Sequence, residues 1–177
     1  MKDFGSRNGF QTKVWGPCAW FFLHMVTLNF SRDRKKGYMC FFKSLSDVLP
    51  CGSCRTNYKK ITSASNPNPK LRLTREVFNS RASAARWLFR VHVQVQSDIY
   101  EKTNNPKDKP KYRDTKQDFT RAMLEYEKYR ASCGKNSHGC VTPKKGYVRQ
   151  RSVITVHPQE TRCTGRRSDR APGRQTS

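Results

Sequence analysis

Val14-Trp-Gly-Pro-Cys-Ala-Trp-Phe-Phe-Leu-His-Met-Val-Thr-Leu-Asn-Phe30 decides the fold class. Within it Trp15, Trp20, Leu23, His24, Thr27 and Phe30 recur at spacings near three and four, the period that lays side chains along one face of an α-helix. This is the most apolar stretch of the chain. It nevertheless holds Pro17, His24 and Asn29 and falls short of the roughly 20 largely apolar residues that a membrane span needs. A buried helix is expected, and no membrane partner.

Working outward, the charged run Ser31 to Gly37 breaks the pattern. Phe41, Phe42, Leu45, Val48 and Leu49 resume it, with polar Lys43, Ser44, Ser46 and Asp47 between, which predicts a second amphipathic helix ending at Pro50. Pro50 is suited to open a new helical turn, so a short third helix is expected over Cys51 to Ile61. Ser63 to Asn68 reads as a loop. From Thr74-Arg-Glu-Val a long fourth helix is expected, with Val77, Phe78, Ala82, Ala85, Leu88, Phe89, His92, Val95 and Ile99 on one face. Asn104 to Tyr112, with Pro106 and Pro110, is a linker, and Lys116 to Tyr129 can form a fifth helix with Phe119, Met123 and Tyr126 on one side. From Ser132 onward Gly, Pro, Ser and Arg dominate, with one β-like run at Val153-Ile-Thr-Val156, and the last dozen or more residues are expected to be disordered. The fold expected is all-α, with one domain over residues 1–130 and a basic extension over residues 131–177.

A chain of 177 residues supports one domain with a real core. Its 36 Lys and Arg against 13 Asp and Glu give a formal charge of +23, which attracts polyanions or acidic surfaces without identifying which. Met1 to Lys13 carries no apolar h-region, so secretion by a signal peptide is not expected. A chain kept in a reducing compartment would hold its seven cysteines as thiols. The cysteines therefore bind metal, perform redox chemistry, or belong to a chain that works where disulfides are made.

Cys51-Gly-Ser-Cys54 lies between a proline and a basic, helix-like run containing Arg55, Lys59 and Lys60. A helix N-terminus and nearby cations both favour thiolate over thiol, so the pair is poised for disulfide exchange. The same spacing also makes half of a zinc site, whose other half would come from Cys133, His138 and Cys140. On that alternative the chain is a noncatalytic, zinc-stabilised protein that binds nucleic acid.

Trp15-Gly16-Pro17-Cys18-Ala19-Trp20 followed by Leu23-His24 and Phe30, then Phe41-Phe42 and Leu45, then Leu49-Pro50-Cys51-Gly-Ser-Cys54, resembles in order and spacing the Erv/ALR family of FAD-linked sulfhydryl oxidases. Arg86-Trp87-Leu88 leading to His92-Val93-Gln94-Val95-Gln96 is similar to that family's fourth-helix flavin motif, His-Asn-x-Val-Asn. The resemblance covers residues 13 to 112. It implies a four-helix bundle around FAD closed by a short fifth helix, usually as a homodimer. It also implies a reaction in which dithiol protein substrates reduce the CxxC disulfide, electrons pass to the flavin, and dioxygen takes them as hydrogen peroxide. By position, Cys54 is the flavin-proximal sulfur and Cys51 the one that exchanges with substrate.

Cofactor contacts carried over in the same way are Trp15, Gly16, Trp20, His24, Phe30, Cys54, His92, Val95 and Gln96, with Lys109 and Tyr112 standing for a displaced Lys-Pro element; no metal site is implied. The chain departs from the pattern at Phe30-Ser31, where the family has tyrosine-proline, and at Val93 and Gln96, where it has asparagines. Without the resemblance, His24 and His92 would read as core residues, and Trp15 and Trp20 as buried indoles. Cys18 and Cys40 fall on apolar helical faces and read as structural thiols. Cys133 and Cys140 enclose a Gly-rich loop and suggest a local disulfide or a stand-in for the family's shuttle pair. The basic tail, with Tyr147 as its single aromatic, suggests weak polyanion or nucleic-acid contact. Family members without signal peptides occur in the mitochondrial intermembrane space and in large DNA viruses, where they work in the host cytoplasm or virion; the short lead and the diverged motif fit the viral kind.

Overall fold

The computed structural model describes residues 9–132, 140, 142 and 143. Five α-helices organise the described residues: α1 (Thr12–Leu28), α2 (Lys35–Val48), α3 (Gly52–Thr62), α4 (Arg81–Thr103) and α5 (Lys116–Glu127). The architecture is all-α, as expected. Its exception is a two-residue antiparallel pairing of Ala131–Ser132 with Thr142–Pro143.

α4 is the central helix because two of its sides are apolar. Ala84, Trp87, Leu88 and Val91 join a cluster with Leu23, Phe30, Phe42, Tyr58 and Phe78 from the helices and turns ahead of it. Ala85 and Phe89 join a second cluster with Leu28, Ala122 and Met123. At the heart of the first, Phe42 lies 5.7 Å from Phe78 and 5.3 Å edge-on from Trp87. The Trp87 indole N–H donates to the Leu71 carbonyl at 2.9 Å, which fastens the connection between α3 and α4 onto the core. Truncating an aromatic here costs about 3–5 kcal/mol.

Two boundaries differ from expectation. α2 begins at Lys35, inside the charged run expected to break the pattern, after a short 3₁₀ turn at Arg32–Arg34. Lysines are good helix formers, and a charged run only interrupts the apolar stripe, not the helix. The long fourth helix begins at Arg81 and not at Thr74. Arg75–Asn79 is a separate 3₁₀ segment in which Phe78 leaves helical geometry at ψ 37°, and Ser80 is extended and caps α4 by a reciprocal bond with Ser83. Ala82 and Ile99, expected on the buried face, are exposed.

Cys18 and Cys40 are free and exposed, which corrects their placement on apolar faces as structural thiols. The reason on α1 is that apolar residues surround the whole helix. Leu23, His24, Thr27 and Leu28 are buried, whereas Val14, Phe21 and Phe22 stay 70%, 39% and 56% exposed. The Val153–Val156 run, the expected disorder of the last residues, and Cys133, His138 and Cys163 lie outside the described residues.

Candidate active site

α2 ends because Leu49 turns extended and Pro50 cannot continue it; Cys51 is also extended, at φ −156° and ψ 120°. Cys51 thereby becomes the N-cap of α3, and its sulfur accepts the Cys54 backbone N–H at 3.2 Å. Cys51 and Cys54 form a disulfide with Cα atoms 5.1 Å apart. No acidic residue stands in the first turn of α3, so the helix N-terminus acts on these sulfurs uncancelled by its own helix. The Arg55 guanidinium closes the loop by donating to the Leu49 carbonyl at 2.6 Å, while Lys59 and Lys60 lie exposed in the last turn. Ser53 Oγ is 3.3 Å from Cys51 Sγ, and Thr12 Oγ1 is 3.8 Å from Cys54 Sγ.

Farther along α1, a different environment forms. Trp20 stacks on His92 of α4 with centroids 4.1 Å apart and rings within 9° of parallel. His24 Nε2 and His92 Nδ1 are 3.0 Å apart, so one ring donates and the other accepts. Tyr126 of α5 lies against the other side of His24, 4.7 Å between centroids. Burial pushes His24 down to about 3, helped by repulsion from His92, and burial pushes His92 down to about 4. Both imidazoles are therefore neutral near neutral pH, and His24 Nδ1 is buried without a hydrogen-bond partner.

That orphaned nitrogen is the sort of polar atom a ligand completes, because leaving it bare costs about 1–3 kcal/mol. Gly16, one turn before Trp20, is buried, yet a Cβ built on it would meet only the Thr12 methyl at 3.5 Å. The same region offers aromatic rings at Trp20 and His92 and the unpartnered His24 Nδ1. FAD, with aromatic rings and many polar atoms, fits this donor set.

The other sequence-predicted residues are dispersed. Trp15 is half-buried, its indole N–H donating to the Phe10 carbonyl at 3.1 Å. Phe30 is core, packed on Phe78 and Tyr38. Val95 packs against the first cluster, and Gln96 is half-buried on the same helix. Lys109 and Tyr112 come together with Val93, Ser97, Tyr100 and Pro110 around a cavity of about 360 Å³, and the Tyr112 hydroxyl donates to Glu125 at 2.8 Å. Sequence reasoning missed Thr12, which reaches Cys54 from 42 residues away, and Tyr126 as a partner of His24. The face assigned to α5 did include Tyr126, the one signal that could have raised it. Cys140 is disulfide-bonded, as are Cys51 and Cys54.

The sequence profile of the Erv1 / Alr family matches residues 17–120. A protein of Acanthamoeba polyphaga mimivirus described as a probable FAD-linked sulfhydryl oxidase is 35% identical over 115 residues, covering 55% of this chain and 76% of that protein.

Proposed function

The chain belongs to the Erv1/Alr family, and on that premise we propose a flavin-linked thiol oxidase that uses FAD and forms disulfides in dithiol proteins, with Cys51 and Cys54 as its redox centre. A substrate thiolate attacks Cys51 Sγ, the Cys51–Cys54 bond breaks, and Cys54 leaves as the thiolate. The second substrate thiol then attacks the mixed disulfide, which releases oxidised substrate and leaves the pair reduced by two electrons. The chemistry FAD supplies when bound is a two-electron relay from that pair to dioxygen, which leaves as hydrogen peroxide. Trp20, His24 and His92 would hold it, together with Gly16, Val95, Gln96 and Cys54; Trp15, Phe30, Lys109 and Tyr112 complete the proposed set.

The observation that carries this reading is the disulfide at the start of α3, in contact through Thr12 with the helix that farther along carries His24, paired with His92 of α4. Oxygen uptake by the FAD-loaded protein on addition of dithiothreitol tests it. Uptake matched by peroxide formation is expected; reduction of the disulfide with no oxygen consumption overturns it.

The protein acts as a homodimer in this reading, supported by the exposed Val14, Phe21 and Phe22 on α1. Residues 1–130 form the oxidase unit, and polyanion contact is spread over it as well as the basic tail, since residues 9–132 carry 24 Lys and Arg against 10 Asp and Glu. No helix among the described residues is long and apolar enough to cross a membrane. The viral relative supports action in a host cytoplasm or virion.

A further inference from the structure

Away from the disulfide and the histidine pair, a cleft of about 450 Å³ lies between the connection after α3 and the first turns of α4. Its two walls are tied together where the buried Trp87 indole N–H donates to the Leu71 carbonyl. Lys70, Arg72, Arg86 and Arg90 line the cleft against one carboxylate, Glu76. Each arginine is held from one side by the protein. Arg72 Nε donates to the Asn66 carbonyl at 2.7 Å, Arg86 donates to the Thr115 carbonyl at 3.0 Å and lies over the Phe119 ring, and Arg90 Nε meets Asp114 at 3.0 Å. Asp114 also pairs with Arg86, so one carboxylate outside the cleft lining answers two guanidinium groups. A guanidinium carries five N–H donors, so each keeps donors beyond these contacts, and little side-chain freedom is left to lose when a ligand is bound.

Beyond the lining, Arg75 and Arg81 stand next in sequence to Thr74 and Ala82 of the cleft, and both are exposed. Residues 70–90 thus carry six cations and one carboxylate. We propose that this cleft binds the phosphate backbone of nucleic acid, a role beyond the thiol oxidation proposed above. A single phosphate would leave most of these cations unused, whereas a strand meets them in succession. An acidic peptide is anchored by large apolar side chains seated in pockets, but Val77 and Trp87, the large apolar residues of the lining, are already buried in the protein's own core. Base stacking needs an open aromatic ring, and Trp87 is 3% exposed. What the cleft offers is charge and forked N–H donors, which suit phosphate oxygens and read no base. The contact is therefore independent of sequence and weakens steeply with salt. It gives a place to the polyanion attraction that the overall charge confers.

Fluorescence anisotropy of a fluorescein-labelled DNA duplex, titrated with the full-length chain, tests the cleft without any appeal to turnover. At about 0.1 M salt, Lys70→Gln with Arg72→Gln should weaken binding about tenfold and lower the slope of log affinity against log salt by about two. Lys43→Gln with Lys116→Gln removes the same charge from exposed positions on α2 and α5 and should weaken binding less than about twofold. Lys70→Glu changes only an exposed side chain, so it keeps the test open if the double variant folds poorly, and it too should weaken binding about tenfold. Dithiol-dependent oxygen uptake should stay unchanged in all of these variants, since none of the substituted residues belongs to the proposed redox site. Equal losses from the two double variants would overturn the proposal by making the attraction a property of the whole surface. Competition by poly-L-glutamate as effective as that by unlabelled duplex would overturn it in favour of an acidic protein partner.

Discussion

The two ends of α1, which the proposed oxidase would use in one reaction, present opposite physical conditions. At its start Thr12 meets Cys54 in a half-buried, basic turn; twelve residues later His24 is 1% exposed, wedged between Tyr126 and the Trp20–His92 stack. At about 1.5 Å of rise per residue these points are about 18 Å apart on one rigid rod. Exchange with another protein's thiols needs a sulfur that can be reached. Holding a cofactor needs polar atoms withheld from water, where each hydrogen bond counts for more. One helix can meet both needs because its first turn faces the loop before α3 and its last turns face α4 and α5.

The sharpest break in this comparison is at the sulfurs. Cys51→Ser or Cys54→Ser should each lower dithiol-dependent oxygen uptake by at least about a hundredfold, since the two act as a unit. Flavin absorbance per chain should hardly change. Flavin loss in either variant would mean that the two ends are not independent.

His24→Ala is the reciprocal experiment. Removing a neutral imidazole that pairs with His92 and offers its second nitrogen should weaken FAD retention by roughly tenfold to a hundredfold, measured by equilibrium dialysis. Apoprotein melting should fall less, in free-energy terms, than FAD binding does. Equal losses would make His24 a core residue and nothing more.

The histidine end should also respond to acid where the sulfur end does not. Both imidazoles are held below their unfolded value of 6.5, at about 3 and about 4, so the unfolded chain binds more protons and stability falls as pH drops below about 6.5. The slope is at most about 1.4 kcal/mol per pH unit for each ring, and less if the pair shares a proton. Chemical denaturation of the apoprotein at pH 7, 6 and 5 measures it, and His92→Gln should flatten it.

The smallest effect belongs to the tail. The Arg130 guanidinium donates to the Leu28 carbonyl at 3.2 Å and pairs with Glu127, which ties α5 to the end of α1. Truncation after Arg130 should therefore keep FAD bound and shift the melting temperature by less than about 3 °C. Truncation before it should cost more. Loss of flavin in the longer truncation would place the domain boundary farther along the chain.

Much of this was legible in the sequence because it is local. The spacing of Trp20, Leu23, His24 and Thr27 predicts α1, and Pro50 followed by Cys-Gly-Ser-Cys predicts the short α3 and its exposed start. The fourth helix was misplaced at Thr74 because Val77 and Phe78 continue an apolar pattern that cannot reveal the turn of Phe78, whereas Ser80 and Ser83 carry the cap. Cys18 and Cys40 were misjudged because a helix apolar on more than one side does not announce which side is covered. The contacts of Thr12 with Cys54 and of Tyr126 with His24 span 42 and 102 residues, and no periodicity encodes them.

The account stands most directly on the visible absorption spectra of the two single-serine variants loaded with FAD. Cys51→Ser leaves Cys54 alone at the start of α3, where the helix N-terminus favours the anionic form of its sulfur. It should show a broad long-wavelength band, the signature of an anionic sulfur against an oxidised flavin ring, and Cys54→Ser should lack it. A protein that takes up no flavin, or a band in Cys54→Ser and none in Cys51→Ser, would contradict the account.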